Sequence, residues 1–362
     1  EQHARKLLEM LAPLGLETVL LTGSLSAAER RSATEAIQAG ASIVVGTHAL
    51  IQDSVSFQDL GLVVVDEQHR FGVRQRMALS EQEGPRPDTL VMSATPIPRS
   101  LAMALYGDVD LSVLDELPPG RLPVKTALRM PDRRDGVYSF IDAQLAEGRQ
   151  AYIVYPLVTE SEKVDLLSAT EEFDRLSTEV FPGRRLGLLH GQLKSAEKDR
   201  VMRAFLAGEL DLLVSTTVIE VGIDVGNATV MVIEHAERFG LSQLHQLRGR
   251  VGRGADESHC ILIAEPGEGS MERLKIFRDT SDGFEVARAD LRIRGQGDLF
   301  GAQQHGRDPV LLFADLLTDE ELLVHAQRDA RALIESDADL SNPDHAKLRS
   351  LVGLAPRELS PS

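Results

Sequence analysis

The sequence predicts an α/β protein with two doubly wound parallel-sheet lobes, followed by a C-terminal helical region. Helix and strand patterns alternate in two blocks, as parallel α/β folds require. Short runs such as 43–45 and 62–65 are almost wholly apolar, which is typical of parallel strands buried on both faces. The alternation stops after Pro266, where charged and helical patterns take over.

The first block covers residues 1–110. A helical pattern runs from Gln2 to Leu14, and the β-rich run 18–22 follows it. Ser26 is a plausible N-cap for a helix that continues through Ala39. Further predicted strands are 43–45, 62–65 and 89–92.

Residues 111–126 are predicted to be an inter-lobe linker, because they contain Pro118-Pro119-Gly120 and Pro123. The second lobe is placed at 127–268, a helical hairpin at 269–314, and C-terminal helices with a tail at 315–362. The strand candidates of the second lobe are 151–155, 185–189, 210–215, 230–234 and 259–264.

Composition limits the function without deciding it. The net charge of −17 argues against a nucleic-acid partner, although arginines cluster between Arg238 and Arg307. With 4% aromatic residues, base stacking is less favoured than tracking of a nucleic-acid backbone. The single cysteine, Cys260, excludes a disulfide framework and predicts a buried strand thiol in a cytoplasmic protein. No apolar run is long enough to span a membrane.

Polar residues that follow predicted strands are the first candidates for chemistry. Asp66 and Glu67 follow the run 62–65 and are able to hold Mg²⁺ and orient a water; a polar turn explains them equally well. Ser93 and Thr95 follow the run 89–92, where a helix N-cap is the simpler explanation. His190 is a candidate phosphate contact.

Two further segments suit a nucleotide. In Thr216–Asp224, Gly222 would let a nucleotide approach the backbone and Asp224 could accept from a ribose hydroxyl, although a structural loop fits as well. Arg250 and Arg253 lie three residues apart, so on a helical turn they would project to one side and meet a triphosphate. The sequence contains no Gly-x-x-x-x-Gly-Lys-Ser/Thr phosphate loop.

Taken in order, these segments resemble the motifs of superfamily 2 helicases, and specifically the RecG family. Asp66-Glu67-Gln68-His69 is similar to the DExH box, and Ser93-Ala94-Thr95 to motif III. Leu189-His190-Gly191 is similar to motif IV, Thr216–Asp224 to motif V and Gln246–Arg253 to motif VI. The segment from Asp290 to Gly306 resembles a translocation hairpin that the family shares with the transcription-repair coupling factor, with Gln296 standing in place of the usual Pro.

The resemblance implies two RecA-like lobes, the first truncated at its N-terminus, and an ATP- and Mg²⁺-dependent translocase on double-stranded and branched DNA. It assigns catalysis to Asp66, Glu67, His69, Arg250 and Arg253, with Asp66 and Glu67 at Mg²⁺. It assigns nucleotide contacts to Gly222, Asp224 and Gln246. It assigns DNA contact or coupling to Thr22, Gly23, Thr47, His48, Ser93, Thr95, His190, Arg294 and Gln304.

The same resemblance places a wedge domain and the phosphate loop upstream, so this chain alone is expected not to hydrolyse ATP. A monomer is expected, with single-stranded DNA-binding protein as a candidate partner. The alternatives are a transcription-repair coupling translocase, an RNA helicase of the same superfamily and a non-catalytic DNA-binding fragment.

Overall fold

The computed structural model describes residues 2–52, 55–66, 87–93, 110, 112–114, 116, 118, 120–156, 162–216, 225–265, 267–294 and 319–352. The chain divides into two compact units, Glu1–Ala94 and Thr95–Ser362. The two units are taken in turn.

Unit 1 alternates helices and parallel strands, as the sequence predicts. Its elements are α1 (Gln2–Leu11), β1 (Thr18–Leu21), α2 (Ala27–Gln38), β2 (Ile43–Gly46), β3 (Leu62–Val65) and β4 (Asp88–Val91). Ser26 caps α2 in a capping box: its hydroxyl accepts from the Glu29 amide, and the Glu29 carboxylate accepts from the Ser26 amide. The N-cap prediction is therefore confirmed.

The described strands of unit 1 form two parallel pairs, β1 with β2 and β3 with β4. Leu21 and Ile37 pack together in a small core beneath the first pair. In the second pair Leu62, Val64 and Leu90 are at least half-exposed. Burial on both faces is therefore wrong for this pair, because among the described strands β3 and β4 pair only with each other.

Unit 2 is built on a six-stranded, wholly parallel sheet with the strand order β5-β10-β9-β6-β8-β7. The strands are β5 (Lys125–Arg129), β6 (Gln150–Tyr155), β7 (Leu186–Leu189), β8 (Leu212–Thr216), β9 (Ala228–Ile233) and β10 (His259–Ile263). All five strands predicted for the second lobe are present. The sheet also includes Lys125 and Thr126 of the predicted linker, because β5 pairs with β10.

Helices cover both faces of this sheet. They are α3 (Arg134–Ala146), α4 (Glu162–Arg175), α5 (Ser195–Leu206), α6 (Leu241–Arg248), α7 (Glu268–Asp279) and α8 (Gly283–Arg294). Two apolar cores result, one on each face, and β8 and β9 are buried throughout. Cys260 lies in the first core, where burial raises the pKa of its thiol to about 12, so the buried strand thiol is confirmed.

Two further helices follow, α9 (Glu320–Ser336) and α10 (Ala346–Val352). They lie in the region where the sequence predicts amphipathic helices. Within the described residues, no helix combines the length and apolar character that a membrane crossing demands.

Candidate functional site

In unit 1 the ends of β1 and β2 bring four of the predicted DNA-contact residues to one edge. Leu21 and Gly46 are partners in the parallel register, so Thr22-Gly23 and Thr47-His48 leave the sheet side by side. The Thr47 amide donates to the Leu21 carbonyl at 3.3 Å. A Cβ on Gly46 would lie 2.4 Å from that carbonyl oxygen, so this close approach requires glycine.

The ends of β3 and β4 bring Asp66 and Ser93 together in the same way. Val65 pairs with Val91, and the Met92 amide donates to the Val65 carbonyl at 2.7 Å. Asp66 is half-exposed, and its Oδ2 lies 3.7 Å from His3 Nε2.

An exposed carboxylate at a strand end is the kind of oxygen ligand that Mg²⁺ takes, so Asp66 fits the predicted metal role. One carboxylate does not make a site. Glu67, its predicted partner, lies outside the described residues, and no group of three or more His, Cys, Asp or Glu in the described part of the chain is arranged to hold a metal.

In unit 2 a row of polar side chains crosses the sheet where the strands end. Leu189 pairs with Ser215, and Tyr155 pairs with Thr216, so His190, Thr216 and Tyr155 follow one another on a single face of three adjacent strands. His190 Nδ1 and Thr216 Oγ1 are buried and have no hydrogen-bond partner. Buried polar atoms in this state are costly, which points to an external partner at this edge.

The His190 imidazole is kept neutral. Burial lowers its pKa, and the nearby positive charge of Lys198 lowers it further. Lys198 lies in the first turns of α5 and donates from Nζ to the Gly191 carbonyl at 2.7 Å. A cation and a helix N-terminus therefore stand beside His190, which is an arrangement that attracts anions.

Glu234 extends this polar row onto β9. Its amide donates to the Val154 carbonyl, and its carboxylate is 1% exposed. Arg134 Nε and Nη2 donate to the two carboxylate oxygens at 3.1 and 3.0 Å, which raises the pKa of Arg134. Tyr138 Oη donates to Glu234 Oε1 at 3.3 Å.

The network continues through α4. Arg175 Nη2 donates to Tyr138 Oη at 3.2 Å and to Glu172 Oε2 at 2.8 Å, and Tyr155 Oη reaches the same Glu172 oxygen at 3.4 Å. Burial raises the pKa of Tyr155 and of Tyr138. The sequence analysis missed this network, because Glu234 was read as the last strand residue. The available signal was a carboxylate directly after an apolar strand, the same pattern that marked Asp66.

A cleft of about 280 Å³ opens beside Glu234, above the ends of β5, β9 and β10. Its charged lining residues are Arg134, Glu234, His235, Glu237, Arg238 and Glu265. Three carboxylates against two guanidinium groups do not favour a phosphate here. His235 has a φ of 50°, an uncommon conformation for a residue other than glycine.

The two predicted phosphate arginines are not on a helix. Helix α6 ends at Arg248, so Arg250 lies in a turn, and Arg253 follows Gly252, whose φ is 74°. The prediction that both project from one helical turn is therefore wrong, because the glycines at 249 and 252 end the helix before the second arginine. Gln246 remains on α6 and is partly buried.

These arginines also lie at the opposite edge of the sheet from His190. Helix α6 begins near the end of β9 and returns across the sheet, a path of about 12 Å for its eight residues. A Cβ on Gly252 would lie 2.6 Å from Val124, just before β5, and one on Gly254 would lie 2.6 Å from the Gly226 carbonyl, just before β9. The expectation that all the candidate residues of this lobe gather where strands end is wrong for these two.

Arg248, the first arginine of the segment, has a structural role. It is 5% exposed, and Nη1 donates to the Phe277 and Thr280 carbonyls at 3.1 and 2.7 Å. Its guanidinium carbon lies 4.2 Å from the centroid of the Phe277 ring, and Nη2 lies 3.2 Å from His245 Nδ1. Arg248 therefore ties α6 to the C-terminal end of α7.

The loop after Arg248 is anchored at two more points. Arg121 Nε donates to the Gly252 carbonyl at 2.8 Å. Further on, Asp256 forms a bidentate ion pair with Arg149. Arg250 and Arg253 are thus carried by a loop that is held before, between and after them.

Several predicted site residues lie outside the described residues, or their side chains do. They are Glu67, His69, Thr95, Gly222, Asp224 and Gln304, together with the side chain of Arg294 at the end of α8.

Three family models match the chain in sequence order. Residues 1–104 match the DEAD/DEAH box helicase family, and residues 135–255 match the helicase conserved C-terminal domain. Residues 280–354 match domain 3, C-terminal, of the ATP-dependent DNA helicase RecG.

Curated relatives agree with these matches. The chain is 51% identical over 349 residues to the ATP-dependent DNA helicase RecG of Thermotoga maritima, which covers 96% of this chain and 44% of that protein. It is 49% identical over 352 residues to RecG of Bacillus subtilis, with coverage of 96% and 51%. The chain belongs to the RecG family. It spans about half the length of the RecG proteins it matches.

Solved structures give the same result for the fold. A structure of RecG bound to a three-way DNA junction is similar to this chain with a TM-score of 0.70 and 49% identity, covering 89% of this chain and 41% of that one. Dbp5 of S. cerevisiae bound to RNA and ADP BeF3 has a TM-score of 0.54 at 17% identity, with coverage of 82% and 79%, and so supports the fold alone. The two RecA-like α/β lobes expected for the RecG family are therefore confirmed.

Proposed function

We propose that this chain is the motor portion of an ATP-dependent DNA translocase that remodels branched DNA, including stalled forks and Holliday junctions, in repair and recombination. The observation that carries the proposal is the pairing of predicted motif residues at shared strand ends, on a chain 49% identical to a RecG seen bound to a three-way junction. Work on DNA implies a cytoplasmic location.

The nucleotide roles in this proposal follow the motifs. Asp66 binds Mg²⁺ and Glu67 orients the attacking water, while Gly222, Asp224 and Gln246 contact the nucleotide. Arg250 and Arg253 stabilise the charge that develops on the transferred phosphoryl group. Bound Mg²⁺ would supply further positive charge to the same phosphate oxygens. The anchored loop supports the arginine roles, since a charge-stabilising group must be held in place before reaction.

The DNA roles fall at the strand ends. Thr22, Gly23, Thr47 and His48 present hydroxyl, imidazole and backbone groups at one edge of unit 1, and Ser93 with Thr95 couples that edge to the nucleotide. In unit 2 the unpartnered atoms of His190 and Thr216 are the proposed phosphate contacts. Arg294 and Gln304 would act in the translocation hairpin. A monomeric protein, with single-stranded DNA-binding protein as a partner, completes the proposal.

Replacement of Glu67 by Gln in a full-length protein that contains this chain tests the catalytic assignment. DNA-stimulated ATP hydrolysis should fall by a factor of at least about 10³, because the water loses its orienting carboxylate while ATP binding is spared. Asp88→Asn is the matched control, since Asp88 begins β4 at the end away from Ser93. Hydrolysis at the wild-type rate in Glu67→Gln would contradict the assignment.

The DNA assignment is testable on the 362-residue chain itself by fluorescence anisotropy with a labelled forked duplex. Lys198→Ala should weaken binding and reduce the slope of log K against log salt by about 1, because one phosphate contact is lost. Lys275→Ala, an exposed lysine on α7, is the control. Equal slopes for the two variants would argue against a phosphate at His190.

A non-catalytic DNA-binding fragment is the second candidate, and the absence of a Gly-x-x-x-x-Gly-Lys-Ser/Thr loop in the sequence favours it for the isolated chain. ATP hydrolysis by this chain, measured with and without a forked duplex, distinguishes the two. No turnover in either condition would fit the fragment. Fork-stimulated turnover would show that other residues bind the phosphates.

A further inference from the structure

Arg121 makes a contact that motif assignments do not include. It lies in the stretch before β5, far in sequence from the arginine segment, yet its Nε donates to the Gly252 carbonyl at 2.8 Å. A tight turn aims it there: the Arg121 amide donates to the Pro118 carbonyl at 3.1 Å, and Gly120 has a φ of 82°. The Pro-Pro-Gly run that marked a linker therefore also directs an arginine.

The position of the accepting carbonyl gives this bond its consequence. The Gly252 carbonyl belongs to the planar peptide unit that joins Gly252 to Arg253, so a donor on that oxygen fixes the orientation of the backbone from which Arg253 projects. Gly252 has a φ of 74° and, as a glycine, has other conformations within reach. Without the bond, little else would hold that peptide plane.

The surroundings leave space for one arrangement only. A Cβ on Gly252 would lie 2.6 Å from Val124 Cγ2 and 3.9 Å from the Leu122 carbonyl oxygen. The segment Arg121–Val124 thus packs along the loop between the two candidate arginines, and Arg121 is itself partly buried there. A movement of this segment would displace the loop.

We propose that Arg121 is a positioning residue for ATP hydrolysis: through the Gly252 carbonyl it holds Arg253, and with it Arg250, in the arrangement that phosphoryl transfer requires. This inference rests on the proposed function. It makes the stretch that leads into β5 part of the catalytic geometry rather than a passive connection. Arg121 touches no nucleotide in this account, and its effect passes through the loop.

The test compares Arg121→Gln, Arg121→Lys and Arg129→Ala in a full-length protein that contains this chain. Arg129 is an exposed arginine on β5 that donates only to the neighbouring Leu128 carbonyl among its described contacts, so it serves as the control. Arg121→Gln should lower kcat for DNA-stimulated hydrolysis about tenfold while KM for ATP changes less than about twofold, because the arginines act on charge that develops in the transition state. Arg121→Lys should recover part of kcat, since lysine retains a charged donor.

Hydrogen–deuterium exchange on the 362-residue chain gives a readout independent of turnover. Amides of the segment 249–254 should exchange faster in Arg121→Gln than in the wild type or Arg129→Ala, with unchanged exchange in the central strands. Unchanged exchange in 249–254, or faster exchange with kcat intact, would overturn the role of Arg121. A wild-type full-length protein without DNA-stimulated hydrolysis would instead refute the proposed function, and the catalytic role of Arg121 with it.

Discussion

Replacement of Arg248 by Ala should destabilise unit 2 more than the loss of any exposed arginine. The wild-type guanidinium donates to two backbone carbonyls and stacks on Phe277, and burial lowers its pKa. Hydrogen bonds from a charged donor contribute about 1.5–3 kcal/mol each, and stacking contributes about 1 kcal/mol. Relief of the buried charge offsets part of this sum, which leaves a net loss of about 3 kcal/mol in the free energy of unfolding.

Tyrosine fluorescence during urea unfolding measures this loss selectively, because the sequence has no tryptophan and all four tyrosines lie in unit 2. Arg248→Met separates the causes, since methionine fills much of the volume but leaves both carbonyls without their donor. The control is Arg278→Ala, whose exposed pair with Asp279 should cost less than about 0.5 kcal/mol. If Arg248→Ala and Arg278→Ala unfold within 1 kcal/mol of each other, or if Arg248→Met is fully stable, the hydrogen bonds do not hold α6 to α7 as described.

Three other predictions use the same unfolding assay. Gly254→Ala should cost about 1–3 kcal/mol because its Cβ would lie 2.6 Å from the Gly226 carbonyl oxygen, whereas Gly226→Ala, with open space at its Cβ, should be near neutral; equal effects would refute the close approach. His245 has a pKa lowered by burial to about 4 in the folded chain against 6.5 unfolded, so protonation favours unfolding and stability should fall between pH 6.5 and 4; a His245→Gln variant with the same pH slope would exclude this histidine as the cause. Glu234→Ala should cost about 3 kcal/mol by leaving Arg134 without its carboxylate, and the double variant with Arg134→Ala should lose less than the two single losses added; additive losses would mean that the pair is not coupled.

Local sequence patterns were sufficient for the strands of unit 2 and for the cap of α2. An apolar run of four to six residues has few alternatives to a buried parallel strand when helical segments separate it from the next run. A Ser-x-x-Glu pair likewise satisfies its own helix end without help from the rest of the chain, as Ser26 and Glu29 do. The exposure of Leu62 and Val64 was not predictable, because it depends on which strands lie beside β3.

For the candidate site, the sequence indicated which residue types follow which strands, and the parallel register then explains why Thr22 lies near Thr47 and Asp66 near Ser93. Spacing failed for Arg250 and Arg253. A three-residue interval predicts a shared face only on a helix, and that helix ends at Arg248. Whether an arginine in a Gly-rich segment meets solvent or a protein carbonyl is decided by the elements packed around it.

The sequence by itself therefore determined the order of the elements, the parallel α/β class and the membership of the motif set, because each depends on neighbours within a few residues. Only the tertiary structure decided that Arg248 is buried against α7, that Glu234 anchors a network of arginines and tyrosines, and that Arg121 reaches Gly252. These contacts join residues that lie from about thirty to more than one hundred positions apart. No local period encodes such pairings; they exist because the chain folds back on itself and buried donors and acceptors must find partners there.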